Sequence, residues 1–224
     1  MHEASIHTRS LLMAVIATVS LLVTIPARAE TGSSAAAKTT ALPVATSGLQ
    51  TAVFAGGCFW GVDAVFKHVK GVAEVESGYA GGNASTAKYD KVSEGDTGHA
   101  EAVRVRFNPA QVSYQQLLKV FFSVAHNPTE LNRQGPDVGT QYRSAIFFTD
   151  AEQQKTAQST IQQLTATRTY PAPIVTQLTP LNAFYPAEAY HQNYLARHPE
   201  QPYIVFNDLP KVEHLRKQFP ELYQ

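Results

Sequence analysis

The chain has 224 residues, and its 18 Lys+Arg are balanced by 18 Asp+Glu, so it carries no net charge with His neutral. A neutral chain has no broad positive field to hold a phosphate backbone, which argues against a general nucleic-acid binder. Hydrophobic residues make up 44% and charged residues 16%, enough for a core and too little charge for a disordered chain, and the single cysteine, Cys58, excludes an intrachain disulfide and any metal site built on several thiolates.

Residues 1–10 are polar and carry Arg9, whereas 11–25, LLMAVIATVSLLVTI, contain no charge. Ala27 and Ala29 supply the small-x-small pattern a signal peptidase needs. Residues 1–29 are therefore expected to be a secretory signal peptide, cut after Ala29, and the protein to be exported to the periplasm. The apolar run is shorter than the roughly 20 residues a spanning helix needs. An uncleaved N-terminal anchor is the alternative. Residues 30–50 are small, polar and free of aromatic rings, and read as a flexible linker. The folded domain is expected over 51–224.

Residues 51–55 predict a short strand, followed by Gly56-Gly57 and Cys58. Val62, Val65, Phe66 and Val69 recur with helical period, which predicts a helix from Phe59 to a stop at Gly71. Residues 71–82 predict a strand closing in a glycine turn, and 83–99 an irregular loop. Residues 100–108 alternate Ala102, Arg104 and Arg106 with Val103, Val105 and Phe107, a strand with one wet face. An amphipathic helix over 111–124 leads to a second loop over 126–142 and a strand over 143–148. Thr149 to Glu152 predict a capping box for a helix to about Thr167. A strand over 174–181, partial helix over 187–198 and a last short helix opened by Pro210 complete the chain. The pattern predicts an α/β (α+β) single domain with a mixed sheet and flanking helices. The Gly56-Gly57 pair lacks the spacing of a dinucleotide fingerprint.

A lone cysteine is more often a small buried hydrophobe than a catalyst. Cys58 stands where a strand ends and a helix begins, and unpaired amides with the positive dipole end there are expected to favour thiolate over thiol. The two glycines before it are expected to let a substrate approach. Phe59 and Trp60 follow it, and Trp60 is the only tryptophan. Large rings beside a thiol suit a substrate with an apolar methyl group. His99, His126 and His191 form no local ligand motif, so no metal is expected.

Gly57-Cys58-Phe59-Trp60-Gly61 resembles the GCFWG signature of the A-type peptide methionine sulfoxide reductases. Residues 77–82 (SGYAGG), 98–101 (GHAE), 126–144 and Tyr190-His191-Gln192 resemble further segments of that family, in the same order, over about 51–206. The resemblance implies a ferredoxin-like core and reduction of methionine S-sulfoxide, free or in proteins, through a cysteine sulfenic acid. It implies Cys58 as nucleophile and Glu101 as proton donor to the sulfoxide oxygen. Tyr89 and Tyr142 would bond that oxygen, Asp137 would organise polar contacts, and Phe59 and Trp60 would hold the substrate methyl. A neutral carboxylic acid and two phenols are chemically suited to these tasks.

The family often carries resolving cysteines near its C-terminus; here 206–224 contain no thiol. Regeneration is therefore expected from an external thiol, a small thiol or a thioredoxin-like partner, with no bound cofactor. Oxidised proteins and free methionine sulfoxide are the expected substrates, and a monomer the expected state. Asp63 and Asn127 depart from residues common in the family, with little loss expected. Outside the resemblance, Tyr89 suits a loop anchor, Asp137 a turn cap after Pro136, Tyr142 half-buried packing and Glu101 a solvated strand carboxylate. Another cysteine-dependent enzyme, peroxidase-like or hydrolytic, and a non-catalytic module that binds oxidised methionine are the competing functions.

Overall fold

The computed structural model describes residues 48–224; the expected signal peptide, and the expected linker up to residue 47, lie outside the described residues. β1 (Gln50–Gly56) alternates as a strand with two dry faces: Ala52 and Phe54 enter the larger core, Val53 and Ala55 a smaller one across the sheet. α1 (Phe59–Lys67) buries Val62, Val65 and Phe66. It ends before the predicted Gly71 because the chain's C-terminus claims the backbone beyond it. Val69 pairs with Tyr223, and the Lys70 amide donates to the Leu222 carbonyl at 2.7 Å.

β2 (Val72–Ala80) is followed by α2 (Tyr89–Val92), a single turn inside the stretch expected to be irregular. β3 (Ala100–Phe107) has its wet face only at the far end: Ala102 is buried, and Arg104 and Arg106 pair with Glu76 and Glu74 of β2. α3 (Tyr114–Val120) starts later than expected, where Ser113 Oγ accepts the Gln116 amide and Gln116 Oε1 accepts the Ser113 amide. A π-type turn over Phe121–Ala125 ends it.

The second expected loop holds a small hairpin, β4 (Arg133–Gln134) and β5 (Asp137–Val138). After β6 (Ser144–Phe148), α4 (Ala151–Ala166) is capped by Asp150 rather than Thr149: Asp150 Oδ1 accepts the Gln153 amide at 2.8 Å. β7 (Gln177–Pro180) and β8 (Phe184–Pro186) follow; β8 was not expected, being too short to show a period. α5 (Tyr194–Arg197) is one turn long, and α6 (Leu209–Gln218) carries Pro210 at its start as expected.

The six-stranded sheet has the order β7-β6-β1-β3-β2-β8. Only β6 and β7 are parallel, so the sheet is mixed, with helices flanking it. Antiparallel pairing of β1 with β3 and β6, and of β2 with β3, brings four strand ends to one side. These are the ends of β1 and β2 and the beginnings of β3 and β6. The connections there carry Cys58, Tyr89 and Tyr142, and Glu101 stands at the start of β3. Residues far apart in the chain meet at that edge for this reason.

Candidate active site

Cys58 is the residue before the first turn of α1 and makes no side-chain cap bond. Glu101 supplies what Cys58 does not: its Oε2 accepts the Phe59 amide N–H at 3.0 Å. A helix leaves its first amides without internal partners, so this carboxyl group caps α1 from the neighbouring strand.

A cavity of about 160 Å³ opens at this point, lined by Cys58, Phe59, Trp60, Tyr89, Glu101, Asp137, Tyr142 and Tyr203. All seven residues nominated from the sequence are on its wall. Its volume is well below the roughly 300–1,000 Å³ of sites for drug-sized ligands and suits the end of one side chain.

Burial pushes the Cys58 thiol well above its ordinary range; Glu101 and Asp208 raise it further, and only the Trp60 amide opposes them. The expectation of a resting thiolate is therefore corrected. The helix end does favour the anion, but desolvation and facing carboxylates outweigh it. Cys58 is buried as part of the main core, yet it also lines the cavity. Glu101 is 2% exposed, and burial pushes its pKa up to about 8, with the Phe59 amide opposing and Asp137 and Asp208 adding to the rise. It is thus a neutral acid at pH 7, not a solvated strand carboxylate.

The phenols are fixed from outside the motif. Glu188 accepts the Tyr89 amide at 3.0 Å and the Tyr79 hydroxyl at 2.9 Å, which sets α2 against β2. Burial raises the Tyr89 hydroxyl to about 12, and raises Tyr142 as well, so both remain proton donors. Asp137 lies on β5 and accepts the Tyr203 hydroxyl; burial raises its carboxyl, against that bond and Lys211. It caps no turn.

Trp60 is clamped on two sides. Its Nε1–H donates to His191 Nδ1 at 3.2 Å, and its ring stacks on Tyr194 at 3.6 Å between centroids. Gln192 holds this segment on β2 through two bonds of 2.9 Å to Ser77 backbone, and donates a third of 2.9 Å to the Ala187 carbonyl beyond β8. Phe59 lies against Tyr79 and the His191 ring.

The glycine pair does not open a path for substrate. A Cβ on Gly57, whose φ is +90°, would stand 2.6 Å from Gln134 Cβ, and one on Gly56 would meet His126 at 2.8 Å. The space is filled by the 126–134 loop, which Gln134 ties to Asn127 backbone at 2.9 and 2.6 Å. Asn127 itself accepts from Thr129 twice, so no loop bond is lost there. Asp63 is buried and pairs with Lys67 at 2.8 Å.

The three histidines are apart and separately engaged. His99 accepts the Gly82 amide, His126 bonds Phe121 O and Ser144 Oγ, and His191 holds Trp60. Among the described residues no cluster of His, Cys, Asp and Glu could hold a metal ion. No histidine lines the cavity, so the base a cysteine hydrolase needs is not present there. Sequence reasoning missed Tyr203, Glu188, Tyr194 and Asp208. The first three are ordinary aromatic or acidic residues of the late segment, and only their distance in sequence from Cys58 concealed them.

One buried thiol, one carboxyl group raised by burial and three phenols on the wall of one small cavity suit a thiol oxidoreductase acting on an oxygen-bearing, uncharged group. The comparisons narrow this. The family profile described as peptide methionine sulfoxide reductase matches residues 50–223. A peptide methionine sulfoxide reductase, MsrA 2, of Mesorhizobium japonicum is 58% identical over 179 residues, covering 80% of this chain and 92% of that protein. The MsrA 2 of Synechocystis is 51% identical, covering 80% and 85%. The crystal structure of reduced Mxr1 from Saccharomyces cerevisiae has a TM-score of 0.63 at 32% identity, covering 69% of this chain and 88% of that one. The chain belongs to the peptide methionine sulfoxide reductase A family and is of single-cysteine type. It is an oxidoreductase that reduces methionine sulfoxide to methionine through a cysteine intermediate.

Proposed function

We propose that the cavity takes the S epimer of methionine sulfoxide, free or within a protein, with the substrate methyl against Phe59 and Trp60. Cys58 Sγ attacks the sulfoxide sulfur while Glu101 gives its proton to the oxygen. The new sulfur–sulfur bond and the S–O bond of the substrate both break as the hydroxyl passes to Cys58, leaving a sulfenic acid and free methionine. The proton lost by the thiol restores Glu101. Cys58 sulfur is oxidised by two electrons and the substrate sulfur is reduced by two. Tyr89 and Tyr142 donate to the oxygen as charge builds on it, and Asp137, which accepts the Tyr203 hydroxyl, lines the same cavity. The observation that carries this reading is one free thiol and one neutral carboxylic acid on the wall of a small aromatic cavity.

With no second cysteine, a first external thiol condenses with the sulfenic acid, releasing water and leaving a mixed disulfide. A second thiol then frees Cys58 and takes the disulfide away. A thioredoxin-like dithiol supplies both. The exposed Val138 and Phe206, close in sequence to Asp137 and Tyr203, support a protein-sized donor. The leader supports export, with residues 1–29 removed and the expected linker acting as a spacer up to residue 49, since Gln50 already belongs to β1. The order β6-β1-β3-β2, with helices after β1 and β3, supports a ferredoxin-like reading of the core.

Incubation of the purified chain with separated S and R epimers and dithiothreitol tests the reading. Reduction of S alone, abolished by Cys58→Ser, is expected; equal reduction of both epimers would contradict it.

A further inference from the structure

Asp208 closes the turn before α6 and is wholly buried, though it lies in none of the segments that carry the family resemblance. Its Oδ1 faces Lys211 Nζ at 3.3 Å, and its Oδ2 has no partner. The pair rests on Gly61, in the first turn of α1. A Cβ there would stand 2.2 Å from Asp208 Oδ1 and 2.8 Å from Lys211 Nζ. Any other residue at 61 would push the pair away from the nucleophile's helix.

The charges around Cys58 are unbalanced without Lys211. Asp208 before α6 and Asp137 on β5 oppose a negative charge on the sulfur, and Glu101 on β3 joins them once it ionises above about pH 8. Tyr89, Tyr142 and Tyr203 also face it, but as neutral phenols. Lys211 is the cation that acts on Asp208 and on Asp137. Taking the proton from Cys58 would otherwise place an anion beside a buried, uncompensated carboxylate, a costly arrangement.

We propose that Lys211, acting through Asp208 across Gly61, is a positioning residue that sets how readily Cys58 loses its proton. The pair offsets its own charge beneath the site, so the sulfur can become an anion once substrate is seated. Removing Lys211 pushes the buried Asp208 carboxyl up further, and at the alkaline pH where the thiol titrates its uncompensated charge repels the thiolate. Removing the Asp208 charge leaves Lys211 to favour it. The inference rests on the assignment of Cys58 as nucleophile, and its test reads the thiol directly.

Cys58 is the only cysteine, so the pH dependence of alkylation by iodoacetamide reports this sulfur alone. Lys211→Met is expected to move the alkylation profile up by about one pH unit, and Asp208→Asn to move it down. The double variant is expected to return close to the wild-type profile. If Lys211→Met fails to fold, Asp208→Asn, which keeps the side-chain shape, decides alone. An unmoved Asp208→Asn profile, or both single variants moving the same way, would overturn the proposal. Alkylation that shifts as expected with no sulfoxide reduction by any variant would instead sink the catalytic reading and leave the pair's effect on the thiol intact.

Discussion

The Phe59 amide N–H donates to Glu101 Oε2 at 3.0 Å, so the residue after Cys58 is bonded directly to the buried carboxyl group proposed as the proton donor. The bond fixes the carboxyl group beside Cys58 and caps the helix that carries it. One side chain thereby serves structure and chemistry together, and a substitution there must be read on both scales.

Glu101→Gln keeps a side-chain oxygen for the Phe59 amide and removes the transferable proton. It should leave the fold intact and slow single-turnover reduction by roughly a hundredfold to ten-thousandfold. Wild-type reduction should decline as pH rises through about 8, where Glu101 ionises, and the variant should lose that limb. Stability carries the same signature. A carboxyl whose folded pKa is raised adds stability below its unfolded value near 4.5, lost as pH rises through about 8. Thermal melting followed from pH 5 to 9 should show a loss of stability that Glu101→Gln reduces.

Trp60 is held by His191 and Tyr194 rather than by its own helix. His191→Ala should loosen the ring, raise KM for methionine sulfoxide and lower kcat/KM by about tenfold, with Cys58 alkylation unchanged. Because Trp60 is the only tryptophan, its fluorescence reports the loosening without interference.

His126 is a buried neutral histidine whose Nδ1 bonds the Phe121 carbonyl at 2.9 Å and whose Nε2 bonds Ser144 Oγ at 2.6 Å. Burial pushes its pKa down to about 3. Its contribution to stability is therefore present above pH 6.5 and lost as pH falls toward 3. His126→Ala should cost about 2 kcal/mol at neutral pH, by denaturant melts, while making the remaining stability less sensitive to acid.

Gly57→Ala places a methyl 2.6 Å from Gln134 Cβ on a backbone of positive φ. It should cost about 2 kcal/mol of stability and displace the 126–134 loop from the site. Gln134→Ala made with it should recover part of the loss, which a double-mutant cycle would read.

Local signals carried much of the fold. β1, β2, β3 and β6 were legible as strands, β3 by its alternation, and the helical period marked α1. What failed was set by distant backbone. The end of α1 depends on Tyr223 and Leu222, and β8 exists because β2 offers it an edge. The seven nominated residues converge because motif spacing reflects one sheet edge. The Cys58 environment was misjudged for a physical reason: the helix end is visible in sequence, while Glu101, Asp208 and Asp137 reach the sulfur only through the fold. The same holds for Gly56 and Gly57, whose neighbours lie some seventy residues away in the 126–134 loop.

The most direct measurement is the mass of Cys58 after one equivalent of methionine S-sulfoxide with no reductant present. The account predicts one methionine released per chain and a Cys58-containing peptide heavier by one oxygen, or carrying a sulfenic-acid trap in its place. Methionine released while Cys58 stays an unmodified thiol, or released equally by Cys58→Ser, would contradict it.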